Sequence, residues 1–157
     1  MQINVEIKGS LNEVTDKIKA FIKEVKSQKA EIGIFDKNNE RKDPKKTNAE
    51  IGYYHEFGSK ETNLPKRSWL RKPAYDETAT KKIEDIESKE DLYFKEPKYL
   101  ITDLSEAYLE AIKDEFLNWG YGWKDLKKET WARKGNENIL RETEQLYNSI
   151  SWRYKNG

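Results

Sequence analysis

The chain has 157 residues, of which 38% are charged, yet 30 Lys and Arg against 29 Asp and Glu leave a formal charge of +1. That length suits one domain, or a domain with appendages, and the near-zero sum argues against the blanket basic field of a dedicated nucleic-acid coat. Only 35% of residues are apolar and mean hydropathy is −1.08, so the core is modest, while five Trp, nine Tyr and five Phe are too many for a disordered chain.

Ile3, Val5 and Ile7 alternate with polar residues up to Gly9, the pattern of a half-buried strand. Ser10 and Glu13 then have capping-box spacing, and Leu11, Val14, Ile18, Phe21, Ile22 and Val25 recur at three- and four-residue steps, predicting a helix of about four turns. Residues 30–35 read as a second strand, with Ile32 and Ile34 on one face. Residues 36–46 contain Pro44 and no apolar member, and are expected to be a mobile loop. Thr47 and Glu50 form a second capping box, opening a short helix through Ile51, Tyr54 and Phe57 that Gly58 closes.

Residues 59–66 read as extended and irregular, with a helix expected to start between Ser68 and Pro73. Periodicity weakens over 74–91, which predicts either an exposed amphipathic helix or a loosely packed excursion. A capped helix is expected from Thr102 or Asp103 to Trp119, ended by Gly120 and Gly122. A helical turn follows Trp123, then a polar loop near Gly135, a short helix near 142–148, and a strand placing Ile150, Trp152 and Tyr154 on one face. The predicted fold is a single α+β domain over 1–157, with a small mixed or antiparallel sheet from 2–8, 30–35 and 149–155 packed against helices.

The inventory of chemistry is short. Without Cys there is no disulfide, thiolate zinc site or cysteine nucleophile. The N-terminal residues lack the basic and apolar regions of a secretory signal, and no apolar run approaches the ~20 residues that span a bilayer. A cytoplasmic setting, with no membrane contact, is expected.

His55-Glu56 resembles the start of a zinc-protease helix, but position 59 is Ser and no second His exists. An acid–base dyad or a helix-end structural pair are the remaining readings. The basic 41–46 segment with Lys66, Arg67, Arg71 and Lys72 could contact phosphates, and Tyr53, Tyr54 and Trp69 could stack on bases. The plainer alternative is a solvated loop with interface arginines. Gly120-Tyr121-Gly122 lacks the remainder of a phosphate loop. No catalytic residue, cofactor or metal ligand set is expected.

Two segments carry a resemblance. The first runs from Ile51 to Ser59 (Ile-Gly-Tyr-Tyr-His-Glu-Phe-Gly-Ser) and from Leu64 to Ala74 (Leu-Pro-Lys-Arg-Ser-Trp-Leu-Arg-Lys-Pro-Ala). It resembles the "Tyr-Ala-x-x-x-Glu-Phe-Gly-Thr … Ile-Pro-Ala-Arg-Pro-Phe-Leu-Arg-Pro-Ala" signature of the tailed-bacteriophage neck and tail-completion proteins, also called virion-morphogenesis or minor-tail-protein-Z-like proteins. The second contains Trp123, Leu126, Thr130, Lys134 and Gly135, then Thr143, Leu146, Ser149 and Ile150. It is similar to that group's "Trp-x-x-Leu-Ser-x-x-Thr … Lys-Gly … Leu-x-Asp-Thr-Gly-x-Leu-x-x-Ser-Ile" ending. Residues 76–100 stand outside the resemblance.

There are departures: Ser68-Trp69 replaces Pro-Phe, Asp125 replaces a Pro, and Glu144 stands at a usual Gly, which predicts a different backbone conformation there. The resemblance implies a structural virion protein, not an enzyme, made in the bacterial cytoplasm. It would complete tails or join them to heads as a homo-oligomeric ring, or a plug within one, against neighbouring neck or tail proteins, with DNA contact at most indirect. Its motif residues are Tyr54, His55, Glu56, Phe57, Gly58, Pro65, Arg67, Trp69, Leu70, Arg71 and Pro73 in the first segment. In physical terms Phe57 would be buried, and Arg67 and Arg71 would bond Glu56 or backbone carbonyls in bidentate fashion. Trp69 and Leu70 would plug a pocket, either within the chain or on a ring neighbour. The alternative function is a nucleic-acid-binding accessory protein using the 41–46 loop with Arg67 and Arg71. A hydrolase using His55 and Glu56 is a third.

Overall fold

The computed structural model describes residues 10–41, 46–75, 77–118, 122–135 and 144–155. Helix α1 (Leu11–Ser27) starts at the expected capping box: the Glu13 N–H donates to Ser10 Oγ at 3.4 Å, and the Ser10 N–H donates back to the Glu13 carboxylate at 3.0 Å. Strand β1 (Ala30–Ile34) follows and pairs antiparallel with the last element, β2 (Ile150–Tyr154), in a register that sets Ile32 opposite Trp152 and Ile34 opposite Ile150. Two strands form the sheet among the described residues, and the expected strand at 2–8 lies outside them. The fold is α+β, mostly helical, with the early and late parts of the chain joined by this ribbon.

The central helix is α6 (Lys98–Leu117), which packs on both strands and supplies buried Ala111, Ile112 and Phe116. Around it Trp69, Trp123, Leu146 and Ile150 complete the core. The Phe116 ring meets Trp69, Trp123 and Tyr147 edge-on at centroid distances of 5.8, 6.0 and 5.9 Å, an arrangement that favours each ring edge against a neighbour's face. Four of the 19 aromatics thus meet in one cluster.

Several boundaries differ from expectation. Within the 36–46 stretch, Asp36–Asn39 forms a helical turn, α2, held because buried Asn48 donates to the Asn38 carbonyl at 2.8 Å and Asn39 Oδ1 accepts from Ala49 N–H at 2.8 Å. Pro44 lies outside the described residues. No α-helix begins between Ser68 and Pro73. The chain there is extended, then makes a single 3-10 turn at Lys72–Tyr75, because its polar groups bond outward to other elements. Helix α6 starts at Lys98, a turn earlier than Thr102 or Asp103, behind Pro97. Asp103 is no cap; its carboxylate accepts from Lys89 at 2.9 Å and from the Tyr93 hydroxyl at 2.7 Å. Trp119 and Gly120 are outside the described residues, as are residues 136–143 with Thr143.

Residues 77–95 form α4 (Glu77–Glu87) and α5 (Glu90–Lys95), docked on α6 through buried Ile86 and Tyr93 and the Lys82 ion pair to Glu110 at 2.8 Å. Among the described residues no helix is long and apolar enough to cross a membrane.

Candidate functional site: a motif joint beside a basic cleft

Helix α3 (Asn48–Phe57) begins at the predicted capping box, with the Thr47 N–H donating to Glu50 at 2.7 Å and Glu50 N–H to Thr47 Oγ1 at 3.2 Å. It ends at Gly58, whose φ of +75° lies in the region that L side chains avoid. A β-carbon there would meet Lys66 N at 2.9 Å and Leu64 O at 3.0 Å, so the position needs glycine twice over. The chain then reverses: Ser59 and Leu64 exchange backbone bonds at 2.8 and 3.0 Å, and Arg67 N–H donates to the His55 carbonyl at 2.7 Å. Residues 64–70 are thereby laid back along α3, with Pro65 half-buried in the returning strand.

That return brings the motif residues together. Glu56 is buried, and its carboxylate accepts the Ser68 hydroxyl at 2.7 Å and Arg71 Nε at 2.8 Å on one oxygen, and the Leu70 N–H at 2.9 Å on the other. Burial pushes the carboxyl pKa up, but the Arg71, Leu70 and Ser68 donors outweigh it and hold Glu56 below the usual carboxylate range. Trp69 lies in the core and its indole N–H donates to the Gly52 carbonyl at 2.8 Å. The Tyr108 hydroxyl of α6 donates to the Leu70 carbonyl, and Pro73 is fully buried behind it.

The expected bidentate clamp takes a different form. Arg71 grips Glu56 through its single Nε and lies over the Phe57 ring at 4.7 Å. Arg67 does not touch Glu56: its guanidinium donates instead to the Lys124 carbonyl at 3.0 Å. Phe57 is 50% exposed and Tyr54 is exposed as well, so it is the polar Glu56, not the aromatic beside it, that α3 buries.

The second motif segment meets the first across the core. Trp123 and Leu146 are buried, and Leu126 packs at the edge of the same cluster. Helix α7 (Lys128–Lys134) carries half-buried Thr130 and Lys134 and is closed by Gly135 at φ +71°. In α8 (Gln145–Ser149) the buried Ser149 hydroxyl donates to the Leu146 carbonyl at 2.6 Å, and Ile150 starts β2 in the core. Glu144 caps α8 with φ 56° and ψ 3°. Glu144 adopts the left-handed geometry that glycine takes without strain.

Between the 58–67 hairpin and the 123–134 segment lies a cleft of about 840 Å³. Among the described residues, Arg41, Lys60, Lys66, Arg67, Lys124, Lys127, Arg133 and Lys134 line it, against one carboxylate, Asp125. His55 also faces it, and its buried Nδ1 has no hydrogen-bond partner. Burial, with positive Arg67 and Lys134 nearby, drives the His55 pKa down to about 4, so the imidazole is neutral at pH 7.

His55 and Glu56 thus serve different places. His55 lines the cleft, while the Glu56 carboxylate is taken up by the 68–71 segment. Of the basic site expected at 41–46 with Arg67 and Arg71, Arg41 and Arg67 line the cleft, Arg41 Nη1 donates to Asn48 Oδ1 at 2.7 Å, and Arg71 is engaged by Glu56. Residues 42–45 lie outside the described residues. Lys60, Lys124 and Lys127 were not singled out from the sequence; no local pattern marks them, since the fold alone brings segments more than 50 residues apart to one opening. Among the described residues no group of three or more His, Asp or Glu is placed to hold a metal ion. The chain matches no known family model, no curated protein and no solved structure.

Proposed function

We propose that this chain is a structural protein of a tailed-bacteriophage or prophage virion, acting without catalysis at the neck or tail end to complete tails or join them to heads. One observation carries the reading beyond the motif resemblance. The two resembling segments converge on a single joint, with Trp69 and Trp123 against the same Phe116 ring and Arg67 bonded to the Lys124 carbonyl. Motifs that lie far apart in sequence but build one unit behave as parts of one inherited structure.

In this reading the protein works as a homo-oligomer, a ring or a plug within one, against neighbouring neck or tail proteins. Repetition by symmetry lets many modest contacts sum to a stable assembly. Exposed Tyr53, Tyr75, Phe94 and Trp131 give such contacts apolar surface. The test is electron microscopy of particles produced with this protein deleted. Unfinished tails or unjoined heads and tails are expected, restored by supplying the protein in trans; normal, joined, infectious particles would overturn the proposal.

A further inference from the structure

The cleft beside the motif joint concentrates positive charge that the rest of the chain does not share. Among the described residues it draws eight Lys and Arg and one carboxylate, in a chain whose total is +1. Lys60, Lys66, Lys124 and Lys127 are exposed and make no ion pair among the described residues. Like charges held close together repel one another, so these four lysines are stabilised by an anion that enters the opening.

A buried donor points to where that anion sits. Arg67 is 4% exposed, is bonded through one nitrogen to the Lys124 carbonyl, and leaves its Nε without a partner. His55 Nδ1, on the same wall, is likewise unpartnered. Buried polar groups are nearly always satisfied, so an orphaned guanidinium N–H among the residues lining a charged cleft points to an acceptor oxygen there. The volume lies in the ~300–1,000 Å³ range of small-ligand sites, too large for a single simple anion.

We infer that this cleft binds consecutive phosphate groups, supplied by a nucleic-acid strand or by a free polyphosphate. Tetrahedral phosphates offer oxygens in several directions, so one group on the floor reaches Arg67 and His55 while the next lie between the hairpin lysines and the Lys124–Lys127 wall. Lysines act there as point charges, which implies binding without base preference. The inference stands apart from the virion reading, because a particle protein with or without phosphate affinity satisfies that reading equally.

The test uses the full chain with a fluorescent 12-nucleotide oligothymidylate, sodium tripolyphosphate, and a 12-residue oligoglutamate peptide as the non-phosphate polyanion. Binding of the oligonucleotide is expected, with a log K against log salt slope of about −2 to −3, as three or four contacted phosphates of a single strand give. Binding of tripolyphosphate but not the oligonucleotide assigns the site to the free ligand. Equal affinity for oligoglutamate, or no binding of either phosphate ligand at low salt, overturns the inference.

A variant with Lys60, Lys66, Lys124 and Lys127 all changed to Ala should lose at least tenfold in affinity while keeping its circular dichroism spectrum, since all four side chains are exposed. The same charge removed at exposed Lys17, Lys23, Lys37 and Lys81 should change affinity less than twofold. An equal loss in both variants would show a response to net charge alone and defeat the assignment.

Discussion

The indole N–H of Trp69 donates to the carbonyl oxygen of Gly52, and the indole ring occupies the space that a β-carbon on Gly52 would need, 2.8 Å from Trp69 Cζ2. A glycine in mid-helix normally costs about 1 kcal/mol against alanine. Here the ring it admits is wedged against Phe116, and Ile34 Cδ1 stands at 3.3 Å, so neither neighbour can withdraw cheaply. Overpacking of about 1–3 kcal/mol therefore outweighs the propensity gain. Gly52→Ala should lower the urea midpoint, and an unchanged or raised midpoint would contradict this packing.

Glu56 makes a second, pH-dependent prediction. Its carboxylate accepts three donors in a buried place, and bonds to charged groups contribute about 1.5–3 kcal/mol each where removal strands a partner. Glu56→Ala should destabilise by at least that amount at pH 7, and Glu56→Gln by less, because the amide oxygen keeps one acceptor. The folded pKa is depressed below 4.5, so on acidification the unfolded chain takes up the proton first. The Glu56 contribution is full above pH 4.5 and fades as pH falls through the folded pKa. Denaturation curves at pH 7 and pH 3.5 should show a smaller gap between wild type and Glu56→Gln at the lower pH; a constant gap would be inconsistent.

What sequence could reveal divides along a physical line. Capping boxes at Ser10 and Thr47, the C-terminal glycine at Gly58 and the Ile32–Ile34 strand are local devices, and each stands where spacing placed it. The α6 start was misplaced because Thr102 and Asp103 look like caps, but their side chains bond Lys98 O, Lys89 and Tyr93 from within the helix. Burial of Glu56 beside an exposed Phe57 reverses the hydropathy order, and only the return of the 64–70 segment accounts for it. The basic cleft is beyond reach for the same reason, since its walls come from segments more than 50 residues apart, tied by the Arg67–Lys124 contact.

Glu144 carries the third prediction. Its φ of 56° is a conformation that costs an ordinary L-residue about 1–2 kcal/mol, and glycine escapes that cost while losing about 0.5–1 kcal/mol more chain entropy on folding. The balance favours glycine, so Glu144→Gly should raise stability by about 0.5–1 kcal/mol, read as a higher thermal midpoint. Glu144→Val, β-branched at positive φ, should lower it. A destabilised Glu144→Gly protein would mean that the side chain's own interactions outweigh the backbone strain.

The lone histidine permits the most direct measurement. With one imidazole in the chain, its Hε1 proton resonance needs no assignment among rivals. Burial first, then the Arg67 and Lys134 charges, hold the folded pKa at about 4 against 6.5 in the unfolded chain. Between those values the unfolded state binds the proton and the folded state does not, so protons favour unfolding. Stability should be fully present above pH 6.5 and decline as pH falls towards 4, and His55→Asn should flatten that limb. In the folded protein the Hε1 shift should stay constant from pH 7.5 to 5.5; a midpoint near 6.5 would place the ring in solvent and remove it from the cleft floor. Where a phosphate ligand binds, its negative charge should draw the midpoint upward, so the same resonance followed with and without tripolyphosphate reports both the burial of His55 and the occupancy of the cleft.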